Sequence, residues 1–254
     1  MITIHLAPSK EALGHSAAAR GGDAIRAAIA KRGSANIVVA TGASQFETLS
    51  ALVRSEGIDW PRVTAFHLDE YIDIPPDHPA SFRRYLEERF TSLLPGLGCF
   101  HFISGTASGL PAEIERLNAL MARHPIDVTF AGIGENAHLA FNDPPADFDA
   151  AEAFRVVTLD EKCRRQQFNE GWFPTLAEVP HEAISMTVPQ IMKSALVILA
   201  VPDRRKAEAV RDVIEGPITP MVPASILRRH PSCHLFLDPQ SAALMRRVPE
   251  AAGE

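Results

Sequence analysis

The chain has few cysteines, no apolar run long enough to cross a membrane, and no excess of positive charge. Each shortage removes a class of function. Cys99, Cys163 and Cys233 are far apart and odd in number, with no CxxC and no Cys/His ligand spacing. Neither a disulfide framework nor a zinc site is therefore expected. The net charge of −6 does not favour nucleic acid or an anionic membrane surface. An anionic substrate would need a local cationic pocket. The first residues, "MITIHLAPSKEALGH", lack the basic, apolar and cleavage segments of a signal peptide, so a cytoplasmic location is expected. The loop in "VVATGASQFETL" is neither GxGxxG nor a Walker loop, so it does not indicate a dinucleotide or a triphosphate.

What is present is an ordinary globular composition, 46% hydrophobic and 22% charged over 254 residues, enough for a sizeable core. Short apolar, β-branched runs recur as "ITIHLA", "NIVVAT", "VTAFHL", "DVTFAGIG" and "ALVILAV", each followed by a turn signal or a helical pattern. Residues 9–32, 79–91 and 108–123 read as helices. "HLFLD" reads as a late strand, and "DPQSAALMRR" after it as a terminal helix capped by Asp238. Strands alternating with helices predict an α/β fold: one Rossmann-like, doubly wound domain over 1–254, with a mostly parallel sheet covered by helices on both faces. There is no low-complexity linker, charge block or repeat. In such sheets ligands bind beyond the carboxyl ends of the strands, so polar clusters at strand ends carry the functional signal.

Three strand ends carry one. In "VVATGASQFETL" a strand ends at Thr41-Gly42 and a helix opens near Ser44. Small residues and free N–H groups there suit a phosphate, although an ordinary turn with Ser44 as N-cap has the same pattern. In "TAFHLDEYIDIPPDHPASFRRYL", Asp69 and Glu70 directly follow a strand. One could be a desolvated general base, or one could cap a turn while the other is solvated. In "GIGENAHLAFNDPP", Gly132 and Gly134 allow a tight turn or close approach. His138 is suited to moving protons near neutral pH, and Asn136 and Asp143 could orient or tune it. Cations cluster in "CRRQQFNEGWF" and "VPDRRKAEAV". Most such charges are solvated faces, but a phosphate site in an acidic chain needs some of them.

"TGAS", "FHLDEY…DHPASF", "GIGENAHLAFNDPP", "RKAEAVRDVIEGPITPMVPASIL" and "LFLDPQSA" occur in this order. Together they resemble the glucosamine-6-phosphate deaminase (isomerase) family, which is related to 6-phosphogluconolactonase. The resemblance spans about 36 to 245. It implies conversion of glucosamine 6-phosphate to fructose 6-phosphate and ammonia, with no metal or organic cofactor. The implied partner is a small hexosamine 6-phosphate, and a homo-oligomer stays open. By the same resemblance Asp69 moves a proton between C2 and C1, and His138 helps open the sugar ring. Gly42, Ala43 and Ser44 cradle the phosphate, and Lys206 binds it.

The chain departs from the family pattern at several of these places. Asn136 stands where an aspartate is usual, Asp143 where a glutamate is, and Ala137 where a glycine is. The amide oxygen of Asn136 is expected to accept a hydrogen bond from His138, leaving Asp143 to supply negative charge; Glu135 is a lesser substitute. The arginine usual before an aromatic pair is missing from "EGWF", so Arg164, or else Arg165, is expected to take its place. Ala43 and Gln45 replace a glycine and a proline. Two competing readings are a sugar-phosphate lactonase, in which His138 activates water, and a non-catalytic sugar-phosphate sensor.

Overall fold

The computed structural model describes residues 2–246. In chain order the elements are β1 (Ile2–Leu6), α1 (Lys10–Arg32), β2 (Ala35–Val39), α2 (Phe46–Val53), β3 (Val63–His67), β4 (Asp69–Tyr71), α3 (Phe82–Arg89), β5 (Cys99–His101), α4 (Leu110–Arg123), β6 (Val128–Ala131), β7 (Phe154–Thr158), α5 (Glu161–Asn169), β8 (Glu182–Met186), α6 (Val188–Met192), β9 (Leu196–Val201), α7 (Ala207–Glu215) and β10 (Cys233–Leu237). No described helix is long and apolar enough to cross a membrane.

Seven strands form a parallel sheet in the order β1-β10-β9-β6-β2-β3-β5. Its strands are near-continuous apolar runs because both faces are covered. Alternation along β2 divides the core. Ile37 and Val39 pack with Leu13, Ile25, Leu49 and Leu52 of α1 and α2. Val38 packs on the other face with Leu117 of α4 and Val210 and Val213 of α7. The chain leaves β2 toward β3 and leaves β6 toward β9, so adjacent β2 and β6 mark the point where strand order reverses. A crevice forms at the carboxyl ends of such a pair.

The expected α/β architecture with a mostly parallel sheet is what forms, with two differences. Strands β4, β8 and β7 make a second, antiparallel sheet, which the apolar runs did not reveal. Beneath it Tyr71, Phe82, Phe141 and Phe173 form their own cluster, with Tyr71 and Phe82 ring centroids 4.8 Å apart. The second difference is at the end of the chain, where residues 239–246 form turns rather than a helix. Asp238 does accept a hydrogen bond from Ser241 N at 2.7 Å, as a cap would. It also receives Asp203 N at 3.2 Å. The backbone bonds that follow mix one four-residue turn with three-residue turns, so no helical ladder propagates.

Candidate active site

A cavity lies at the β2/β6 crevice. Its lining comes from the segments that follow four parallel strands: 40–44 after β2, Leu68 and Asp69 after β3, Gly132 to Gly134 after β6, and Pro202, Asp203, Arg205 and Lys206 after β9. His138, Phe141 and the α5 residues Gln166 and Gln167 close it, with Glu170 just beyond that helix.

The two carboxylates of "DEY" have opposite fates because successive strand residues point to opposite sides. Glu70 turns away and accepts Tyr71 N at 2.9 Å, Phe82 N at 3.2 Å, Arg83 N at 2.6 Å and Ser81 Oγ at 3.3 Å. It thus caps the start of α3. Asp69 faces the cavity, is 6% exposed, and receives no hydrogen bond from any described residue. Burial, with the Glu70 charge adding to it, pushes its carboxyl up to about 8.

The histidine loop follows β6. His138 Nδ1 lies 3.0 Å from Asp143 Oδ1. Burial alone would raise the Asp143 carboxyl, but hydrogen bonds from His138, Asn136 and Asp160 N, together with the imidazole's charge, hold it below its ordinary value. An ionised carboxylate only accepts, so Nδ1 carries a proton toward Asp143 and Nε2 is the ring nitrogen left to act. Asn136 departs from expectation. Its oxygen accepts the backbone N–H of His138 at 3.1 Å, not the ring. Its Nδ2 donates to Asp143 at 2.9 Å and to Asp160 at 3.0 Å. The ring packs so tightly over the loop that a Cβ at Gly134 would sit 2.4 Å from it.

Gly42 adopts φ 92° and ψ 166°, a conformation for glycine. Tyr85 Oη donates to its carbonyl at 3.0 Å, which holds the loop from α3. Ala43 to Gln45 form a short 3₁₀ turn leading into α2. Ser44 is therefore no helix N-cap; its Oγ accepts from Gln45 Nε2 at 3.0 Å. Lys206 is buried on the lining, and its ammonium has no hydrogen bond or ion pair among the described residues. Burial lowers its pKa first, against the pull of Glu170 and Glu135.

Arg164 is not on the lining. Its guanidinium holds the carbonyls of Val179 at 3.0 Å and Leu176 at 2.9 Å, fixing the turn after α5. Arg165 pairs with Glu161 on the surface. The second cation on the lining is instead Arg205, 3.8 Å from Glu135 and 3.5 Å from Asp203. The sequence offers it only as one of three adjacent basic residues. Glu170 was not singled out from sequence either; it accepts from Gln166 Nε2 at 2.9 Å and Trp172 Nε1 at 3.1 Å.

His138 Nδ1, an Asp143 oxygen and Cys163 Sγ lie within 4.8 Å of one another. The first two are already hydrogen-bonded together, and burial keeps the Cys163 thiol well above its ordinary range. The set is therefore a hydrogen-bonded network around the histidine, not a preformed metal centre.

Comparison with known proteins gives the family of the chain. The family model for glucosamine-6-phosphate isomerases/6-phosphogluconolactonase matches residues 8–235. A glucosamine-6-phosphate deaminase of Exiguobacterium sibiricum is 37% identical over 217 residues, 85% of this chain and 84% of its own. One from Lactobacillus delbrueckii subsp. bulgaricus is 32% identical over 214 residues, 84% and 89% respectively. Among solved structures, a monomeric glucosamine-6-phosphate deaminase superposes with a TM-score of 0.85 at 30% identity, covering 96% of this chain and all of its own. A putative 6-phosphogluconolactonase from Neisseria gonorrhoeae shares the fold at 0.75 and 23% identity, covering 94% of this chain and 100% of its own. The chain belongs to the glucosamine-6-phosphate isomerase/6-phosphogluconolactonase family.

Proposed function

We propose that the protein is an amino-sugar-phosphate isomerase-deaminase that converts glucosamine 6-phosphate and water to fructose 6-phosphate and ammonia. The observation that carries this reading is one cavity that joins two proton-handling groups, Asp69 and His138, to a small-residue loop and an unpaired lysine. The deaminases named above support the same reaction.

The phosphate is held by the N–H groups around Gly42 to Ser44 and by Lys206, a cation in an otherwise acidic chain. Anchored there, the open-chain sugar keeps its reacting carbons near Asp69. His138 relays the ring-opening proton between the ring oxygen and the anomeric hydroxyl through Nε2, while Asp143 stabilises the imidazolium formed in passing. Asp69 takes the proton from C2 and returns it to C1. Water adds at C2 as ammonia leaves.

The isolated state of Asp69 favours an amino sugar. A buried carboxylate without donors resists ionisation. A C2 ammonium supplies the missing positive charge and makes the base as it binds. A lactone brings no such charge, and its hydrolysis moves no C2 proton.

The test is a coupled assay with glucosamine 6-phosphate. Ammonia and fructose 6-phosphate should appear in equal amounts. Absence of turnover with this compound and with its galactosamine epimer would sink the reading.

A further inference from the structure

The histidine loop is fastened to a residue outside it. Asp160 is the N-cap of α5, where one carboxylate oxygen accepts Cys163 N at 2.6 Å. Its other oxygen accepts Asn136 Nδ2 at 3.0 Å. Its own N–H donates to Asp143 Oδ2 at 2.9 Å. Asn136 therefore stands between two carboxylates, with one N–H for each and its oxygen on the His138 backbone.

We propose that Asp160 is a positioning residue for the reaction: through Asn136 and through its own N–H, it fixes Asp143 against His138 and so sets the aim of the imidazole. Three features carry this. A helix cap needs one side-chain oxygen, which a serine supplies as well; the second oxygen of Asp160 is committed to Asn136. The side chain of Asp143 is only 6% exposed, and such a carboxylate stays anionic by virtue of its donors. Two of them, Asn136 Nδ2 and Asp160 N, are placed by Asp160. Finally, the loop and α5 are tied a second time, by Glu135 N to Gln166 Oε1 at 2.9 Å. Since Gln166 and Gln167 line the cavity, the histidine and one wall of the substrate site form one unit.

This explains why position 136 carries an amide. An aspartate there would bring a third carboxylate against Asp143 and Asp160 with no N–H to offer either. The charged and titratable groups facing Asp143 are then His138 in the loop, and Asp160 and Cys163 from α5.

The proposal rests on the reaction above for its kinetic arm alone. Asp160→Ser keeps an N-cap oxygen and removes the one that reaches Asn136. It should fold with a near-normal melting temperature and lose ~10-fold or more in kcat while KM changes by less than ~3-fold, the pattern for lost aim rather than lost substrate binding. In an Asn136→Ala background the same change should cost less than ~2-fold, because the connection is already broken. The Asp143 carboxyl, followed by carbon NMR, should titrate at higher pH in Asp160→Ser than in the parent. Should serine prevent folding, the isosteric Asp160→Asn is measured in its place with the same expectations.

A parental kcat together with an unmoved Asp143 titration would overturn the proposal and leave Asp160 a helix cap. Equal losses in both backgrounds would also overturn it. The NMR arm needs no turnover. A protein that shifts Asp143 but releases no ammonia upholds the positioning role and fails the proposed reaction.

Discussion

Asp69 and Asp143 are both buried carboxylates, and their surroundings drive them in opposite directions. Asp143 accepts three hydrogen bonds and stays an anion. Asp69 accepts none and is pushed up to about 8. Environments that separate two carboxylates in this way assign their roles: Asp143 is the fixed charge and Asp69 the group that changes protonation. Asp69→Asn should therefore lose at least ~100-fold in rate, the lower end for removal of a general base. The variant should also be more stable than the parent in alkaline solution. A carboxyl raised from 3.8 to about 8 contributes its stability below the lower value and loses it as pH rises through the higher one. The gap in melting temperature should thus widen from pH 5 to pH 9; a constant gap would mean that Asp69 is not the strained group. Ala137 is a second residue under strain, with φ 64° just before His138. Glycine adopts that conformation without the side-chain penalty. Ala137→Gly should stabilise the protein by about 0.5–1 kcal/mol, measured as a higher urea midpoint at unchanged m.

At the scale of elements, α3 is the piece that holds the cavity together. Glu70 gathers two backbone N–H groups at its start and that of Tyr71 in β4, and Tyr85 reaches from its interior to the Gly42 carbonyl. Glu70→Ala leaves those N–H groups buried without an acceptor. The expected cost is about 2–3 kcal/mol in chemical unfolding, the magnitude for losing charge-assisted bonds to buried donors. A loss below ~0.5 kcal/mol would show that the cap is dispensable. The sequence leaves this division of labour open. "DEY" after a strand allows either carboxylate to be the base; only the start of α3, eleven residues later, decides which is taken by backbone N–H groups.

Across the whole molecule, what the sequence makes legible is what lies next to a strand end in the chain. The alternation of short apolar runs with helices predicts the parallel sheet. The segments at 41–44, 69 and 132–138 come to one cavity because parallel strands bring all their carboxyl ends to one edge. What stays hidden depends on the path of loops. "FRVVT" and "EAISM" become strands because they pair with each other and "EAISM" pairs with β4, and neither is apolar enough to announce it. Arg164, Arg165 and Arg205 look alike in sequence. Arg164 is drawn off by carbonyls of a turn twelve to fifteen residues away, and Arg165 by a glutamate one turn before it. Arg205 follows β9 into the crevice. Asp160 reads as a cap alone until the histidine loop is laid against it.

The central claim is that a single base in this cavity moves a proton from C2 to C1 of an amino sugar phosphate. Turnover of glucosamine 6-phosphate in heavy water, with the fructose 6-phosphate product analysed by NMR, tests it most directly. The account predicts deuterium at C1 in one stereochemical position, and its near-total loss with Asp69→Asn. Product formed by the parent with deuterium in both C1 positions, or turnover and labelling unchanged in Asp69→Asn, would contradict it.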